Sequence, residues 1–137
     1  TVLVCDKDEA IKMGLNIEAE VIGTAMSGND PNTMGLGPIF AIRKLLEKIS
    51  MKIEDIDFFE LNEAFAAQSL ACVRQLKIPE EKVYSKIKTL QSRDMCFKVN
   101  VHGGSIALGH PIGCSGARIV ATLINVLKEN NAKTQVQ

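Results

Sequence analysis

Residues 56–76 read "IDFFELNEAFAAQSLACVRQL". The first six, "IDFFEL", are a short apolar run centred on Phe58 and Phe59, the pattern of a strand covered on both faces. The remaining "NEAFAAQSLACVRQL" is apolar nearly all round until Arg74, which predicts a helix buried in a layered core. A strand covered on both sides and followed at once by such a helix points to an α/β fold.

Working outward, the same alternation continues. Upstream, Val2 to Cys5 reads as a short buried strand and Lys7 to Met13 as a charged helical turn. Ile17, Ala19, Val21 and Ala25 share one side of a second predicted strand. "SGNDPNTMGLGP", residues 27–38, is a loop closed by Pro38, which suits the first turn of a helix. Ile39, Ile42, Leu45, Leu46 and Ile49 recur behind it at helical spacing. Downstream, residues 79–98 are polar and basic and read as a surface excursion. A glycine-rich run follows, then a helix over Gly116 to Glu129 with Ile119, Val120, Leu123, Ile124 and Leu127 on its apolar side. "NNAKTQVQ" is a poor strand, so the chain is expected to stop before its last strands. There is no internal repeat.

The 137 residues suffice for one domain, taken as residues 1–137. Lysine plus arginine equals aspartate plus glutamate at 16 each, and there is one tyrosine and no tryptophan. That balance argues against a nucleic-acid or membrane-surface binder, which would carry clustered excess cations. No apolar stretch is long enough to cross a bilayer. Cysteines at 5, 72, 96 and 114 form no CxxC and neither histidine completes a zinc pattern, so no metal is expected. Reduced thiols in an intracellular compartment, cytoplasmic rather than organellar, are the default reading. The chain opens on Thr1 and reads as cut from something longer.

Three stretches could carry chemistry. "NVHGGSIALGHPIGCSG", residues 100–116, holds five glycines, which permit close backbone approach. No GKS or GKT follows, so a phosphate loop is rejected. His110 lies between Gly109 and Pro111, and the proline holds it out of the helical region, presented by the backbone. Such a histidine is either a general base or a satisfied loop residue. Cys114 is either its nucleophile or a small buried apolar residue; His102 reads as a turn residue. In "ELNEAFAAQ", residues 60–68, Asn62 is either a helix N-cap or a ligand-binding carboxamide at a strand's C-terminal end. Glu63 suits the first turn of the helix. "GNDPNTMGLGP", residues 28–38, reads as a structural turn.

Together, "DPNTMGLGPIFAIRKLLEK", "DIDFFELNEAFAAQ" and "NVHGGSIALGHPIGCSGARI", in this order and spacing, resemble the C-terminal half of a thiolase, of the acetyl-CoA acetyltransferase type. The resemblance covers nearly the whole chain and implies a layered α/β/α fold. It implies a loop lining a catalytic floor, where the pantetheine arm of coenzyme A delivers a thioester to a cysteine. His110 would activate that cysteine and donate to the thioester oxygen as charge develops. Asn62 would hold the water that supplies the other donor. Ala64 and Phe65 would pack against the pantetheine end, with Met34, Gly35, Gly37 and Gly109 near the same pocket. No cofactor is implied beyond coenzyme A as substrate, and the parent enzyme would be a homo-oligomer.

The departures are specific. The family's nucleophilic cysteine comes from an N-terminal half, and its second cysteine from a CxG motif after the last helix; none of the four cysteines here matches either. The family more often has asparagine where His102 stands. About fifteen extra residues around Tyr84 to Lys98 exceed typical loop lengths. Lys82, Lys86, Lys88, Arg93 and Lys98 make that insertion basic, either as a plain solvated loop or as a contact for coenzyme A phosphates. The expectation is therefore part of an enzyme transferring acetyl groups between coenzyme A thioesters, inactive by itself. The alternatives are a non-catalytic module binding acyl-CoA or a partner subunit, and a Cys114–His110 hydrolase.

Overall fold

Phe58 and Phe59 are the two residues of strand β1 (Phe58–Phe59), and they point to opposite sides of it, as the period of two requires. Phe59 is buried with Ile39, Ile42, Leu46, Cys72, Val73 and Leu76, whereas Phe58 is buried with Leu123 and Val126. Each phenylalanine thus belongs to a different helix layer, and the strand between them gives the α/β/α layering that the sequence predicts. The computed structural model describes residues 2–78, 99–132 and 135–136. The basic insertion expected around residues 84–98 and Cys96 lie outside the described residues.

One layer is built from α2 (Gly37–Lys48) and α3 (Ala66–Gln75), with a 3-10 segment over Pro31–Leu36 packed on both. Ile39, Ile42 and Leu46 are the buried positions of α2, the face expected from their spacing. The other layer is α5 (Ile112–Asn130), which begins four residues before the expected Gly116. Before these come α1 (Lys7–Lys12), capped by Asp6 accepting from the N–H groups of Asp8 and Glu9, and after α3 the short α4 (Ser105–Leu108).

β2 (Gln135–Val136) pairs in parallel with β1, in the register Phe58 to Gln135 and Phe59 to Val136. On the other edge Phe59 forms a parallel bridge with Val99, and Asn100 N–H donates to the Phe59 carbonyl at 2.9 Å. Gln135 and Val136, within the segment "NNAKTQVQ" read as too poor for a strand, therefore pair with the sheet after all. Parallel pairing to a buried neighbour supplies what its own residues lack.

Two predicted strands do not form. Residues 2–5 and 17–25 have no regular structure, and Leu3, Val4, Val21 and Ile22 are exposed. A strand exists only through a ladder partner, and residues 17–25 run past helices instead. Gly23 lies against Leu45 and Ile49, where a Cβ would sit 2.9 Å from Leu45 Cδ1, and Lys44 Nζ donates to the Met26 carbonyl at 3.2 Å. Glu18 pairs with Lys128 of α5. α3 is less covered than its composition predicts: Cys72 and Val73 are buried, but Ala66 and Ala67 are exposed. No helix among the described residues is long and apolar enough to cross a membrane.

Candidate functional site

The chain leaves β1 through Glu60 and Leu61 to Asn62, while the neighbouring edge carries Val99 and Asn100. Asn100 adopts a left-handed φ of 48°, which asparagine tolerates. Its carboxamide then pairs with the Leu61 backbone, accepting from Leu61 N–H at 2.8 Å and donating to the Leu61 carbonyl at 2.9 Å. The side chain replaces one rung of the sheet ladder and fixes the strand end next to Asn62. Asn100 Nδ2 also donates to Glu63 Oε1 at 3.0 Å, and Glu63 Oε2 accepts from Ile106 N–H at 3.1 Å.

Glu63 therefore serves the start of α4 rather than that of α3. α3 begins at Ala66, with Phe65 at its N-cap making no side-chain cap bond, so Asn62 is not an N-cap either. Both residues lie in the irregular stretch before the helix and are free to reach across to residues 100–110. The approach is close: a Cβ on Gly104 would collide with the Glu63 carboxylate and lie 2.8 Å from Asn100 Nδ2. This is the glycine of the run whose missing side chain is needed.

Asn62 and His110 are 48 positions apart in sequence, and their Nδ2 and Nε2 atoms are 3.3 Å apart. The donor inventory orders the groups around them. Ser115 Oγ–H donates to the Pro111 carbonyl at 3.2 Å, so it accepts from His110 Nδ1–H at 2.7 Å. His110 Nε2 then holds a lone pair, and Asn62 Nδ2–H donates to it. At the other end of the amide, Ser105 Oγ–H donates to Asn62 Oδ1 at 2.6 Å, and Ser105 Oγ accepts from Arg118 Nη2–H at 2.9 Å. Arg118 Nη1–H donates to the Gly109 carbonyl at 2.7 Å. Ser105 and Ser115 are buried; His110 itself is exposed. Each ring nitrogen thus has a partner, Ser115 at Nδ1 and Asn62 at Nε2.

The other expected site residues are more scattered. Gly109 ends α4 with φ 87° and turns the chain into His110. Ala64 and Phe65 follow Asn62 and are exposed, Phe65 at 65%. Met34 is equally open; its neighbour Gly35 packs against Gln68 of α3, which ties that loop to the helix. Cys114 is exposed in the first turn of α5, yet both ring nitrogens of His110 are engaged by other partners. Cys72 is buried and its thiol is pushed up by burial, which makes it core and not nucleophile. His102 bonds Glu129 at 2.8 Å and is more than a turn residue.

Sequence reasoning missed Asn100, Ser105, Ser115 and Arg118. The only signal for the serines was their position as hydroxyls flanking the glycine-histidine-proline turn. It also missed Glu60, which is buried with Oε1 lacking a hydrogen-bond partner among the described residues. Burial pushes its carboxyl up to about 7; Glu63 adds to the rise, while His102 and Arg118 oppose it.

A two-sided α/β layer with an amide and an imidazole meeting at adjacent loops defines a class of site, and comparison supplies the family. The thiolase C-terminal domain profile matches residues 15–137. The chain is 47% identical over 131 residues to the 3-ketoacyl-CoA thiolase of Vibrio parahaemolyticus, covering 96% of this chain and 30% of that protein. It superposes on the Bacillus anthracis acetyl-CoA acetyltransferase with a TM-score of 0.79 at 42% identity, over 94% of this chain and 29% of that one. The human mitochondrial 3-ketoacyl-CoA thiolase in complex with CoA gives 0.79 at 38% identity, over the same shares. The chain belongs to the thiolase family, and it spans about 30% of the length of the relatives it matches.

Proposed function

We propose that this chain is the C-terminal part of an enzyme that transfers an acetyl group between coenzyme A thioesters through an acyl-cysteine. The reaction is thiolysis of a 3-ketoacyl-CoA or its reverse, the condensation that makes acetoacetyl-CoA. The observation that carries this reading is the line of hydrogen bonds that joins the His110 ring, through Nε2, to the Asn62 amide. Nε2 takes the proton of a cysteine thiol supplied from outside this chain, and the thiolate attacks the thioester carbon of acetyl-CoA. As the adduct collapses, the carbon–sulfur bond to coenzyme A breaks and the leaving thiolate takes that proton back, so the cysteine is left acetylated. While the adduct lasts the ring carries Nε2–H, which no longer accepts from Asn62. Both N–H groups are released toward a third acceptor, the thioester oxygen, with Asn62 acting through a held water as the family resemblance implies. They bond most strongly when that oxygen is negative, which is where stabilisation accelerates the step.

Phe65, Leu108 and Ile112, each two or three residues along the chain from Asn62 or His110, are exposed, Ile112 at 86%. They suit the uncharged pantetheine arm, with Ala64, Met34 and the bare Gly109 at its end. Coenzyme A enters as substrate and no further cofactor is required. The parent enzyme is a homo-oligomer in this reading.

His110→Ala in the complete enzyme tests it. kcat should fall by about 10²- to 10³-fold, roughly 3 kcal/mol or more, with KM little changed, because the lost bond is made in the transition state. Near-normal turnover would make His110 a loop residue and end the proposal.

A further inference from the structure

Arg118 has donors only, and Ser105 has one proton. Arg118 Nη2–H donates to Ser105 Oγ at 2.9 Å, and the serine's single proton goes to Asn62 Oδ1, 2.6 Å away. An asparagine amide is nearly symmetric in shape, and nothing steric prevents it from turning over to present oxygen where nitrogen stood. Here that turn would set Oδ1 against the His110 Nε2 lone pair and Nδ2–H against the Ser105 hydroxyl proton. The first clash is set by Ser115, which leaves His110 Nε2 its lone pair; the second exists because Arg118 holds the sense of the serine.

We propose that Arg118, acting through Ser105, is a positioning residue that sets the direction of the Asn62 amide, so that its N–H and not its oxygen faces His110. The same guanidinium holds the Gly109 carbonyl at 2.7 Å, one residue before His110, so one side chain spans both halves of the site. Ser105 is buried and opens α4, and Arg118 is partly buried on α5. Neither touches the reacting atoms. Their effect is to choose between two amide orientations that a substrate oxygen would read as donor or as acceptor. This inference rests on the thiolase reading only for its catalytic consequence; the orientation itself is a property of the chain.

The test separates the two. In the isotope-labelled chain, both Asn62 side-chain amide protons should show nuclear Overhauser contacts to the His110 ring protons. In Arg118→Met the serine hydroxyl is free to reverse, and in Ser105→Ala the oxygen loses its donor. Either variant should show a second Asn62 amide population with its protons directed toward residue 105. Ser105→Ala removes one buried oxygen and decides the matter if Arg118→Met does not fold. In the complete enzyme, the same substitutions should lower kcat by about tenfold, with KM within about twofold of the unaltered enzyme. A single, unchanged amide orientation in the folded variants overturns the proposal, whatever the activity. A parent enzyme without thiolase activity would defeat the functional reading and leave the amide result standing.

Discussion

The Asn100 carboxamide bonds both polar groups of the Leu61 backbone and the Glu63 carboxylate, from a left-handed backbone that aspartate also tolerates. Asn100→Asp would keep the shape and turn the donor into an acceptor facing the Leu61 carbonyl and Glu63. We expect a loss of about 2–4 kcal/mol in thermal or urea unfolding, since buried acceptors would then face one another. A change within about 0.5 kcal/mol would mean the amide is dispensable. Glu60 makes stability depend on pH. Its folded pKa of about 7 exceeds the unfolded value of 4.5, so the native state holds a proton that the unfolded chain releases between them. Stability should fall as pH rises through that window and level off above it, by roughly 3 kcal/mol in all. Glu60→Gln should flatten this part of a melting-temperature profile; an unchanged slope would place its origin elsewhere. At this scale Asn62 and His110 were legible because their motifs set them at a strand end and before a proline. Asn100, Ser105 and Arg118 were not, because each works through a partner distant in sequence, which no local pattern encodes.

Three helices stop in the same way, with a non-glycine residue in the left-handed region: Ser50 after α2, Lys77 after α3 and Asn131 after α5. In each, the next residue donates back across the turn: Met51 to Leu46 at 2.9 Å, Ile78 to Val73 at 3.1 Å and Ala132 to Leu127 at 3.0 Å. α1 closes likewise with Leu15 to Ala10 at 3.0 Å, but there the left-handed residue is Gly14. This is the helix-ending motif that glycine favours, because a Cβ is strained in it. Lys77→Gly should therefore stabilise the protein by about 1 kcal/mol, read as a rise in melting temperature. A fall would show that the exposed lysine contributes more than its backbone strain costs. The absence of glycine at these ends also explains what could be read of the elements. Apolar spacing placed the bodies of α2 and α5, but serine and lysine gave no stop signal. Asn62 gave a false start for α3, because an asparagine between strand and helix suits a cap as well as a site. The alternation at 17–25 was real, yet α2 and not a strand lies beside it.

The whole chain leaves Leu3, Val4, Met26 and Ile112 open to solvent while each phenylalanine of β1 is covered. Assayed by itself it should transfer no acetyl group from acetyl-CoA, because His110 faces an amide and a serine and, among the described residues, no thiol lies against its ring nitrogens. Intact-mass measurement after incubation checks this; a single adduct on Cys114 that depends on His110 would revive a cysteine–histidine reading. The same open apolar residues should make the isolated chain self-associate in sedimentation at micromolar concentration. The layering was legible at this scale because two adjacent phenylalanines can both be buried only between two layers. The pairing of β2 was not, because its affinity resides in β1. That pairing has a consequence for how the protein is made. β1 is complete at Phe59, but the neighbour on its second edge begins at Gln135. At ~5–20 residues per second, roughly 4–15 s of synthesis separate them. Throughout that interval β1 has at least one open edge on the ribosome, and a chaperone able to shield it would act on the nascent chain rather than on the finished protein.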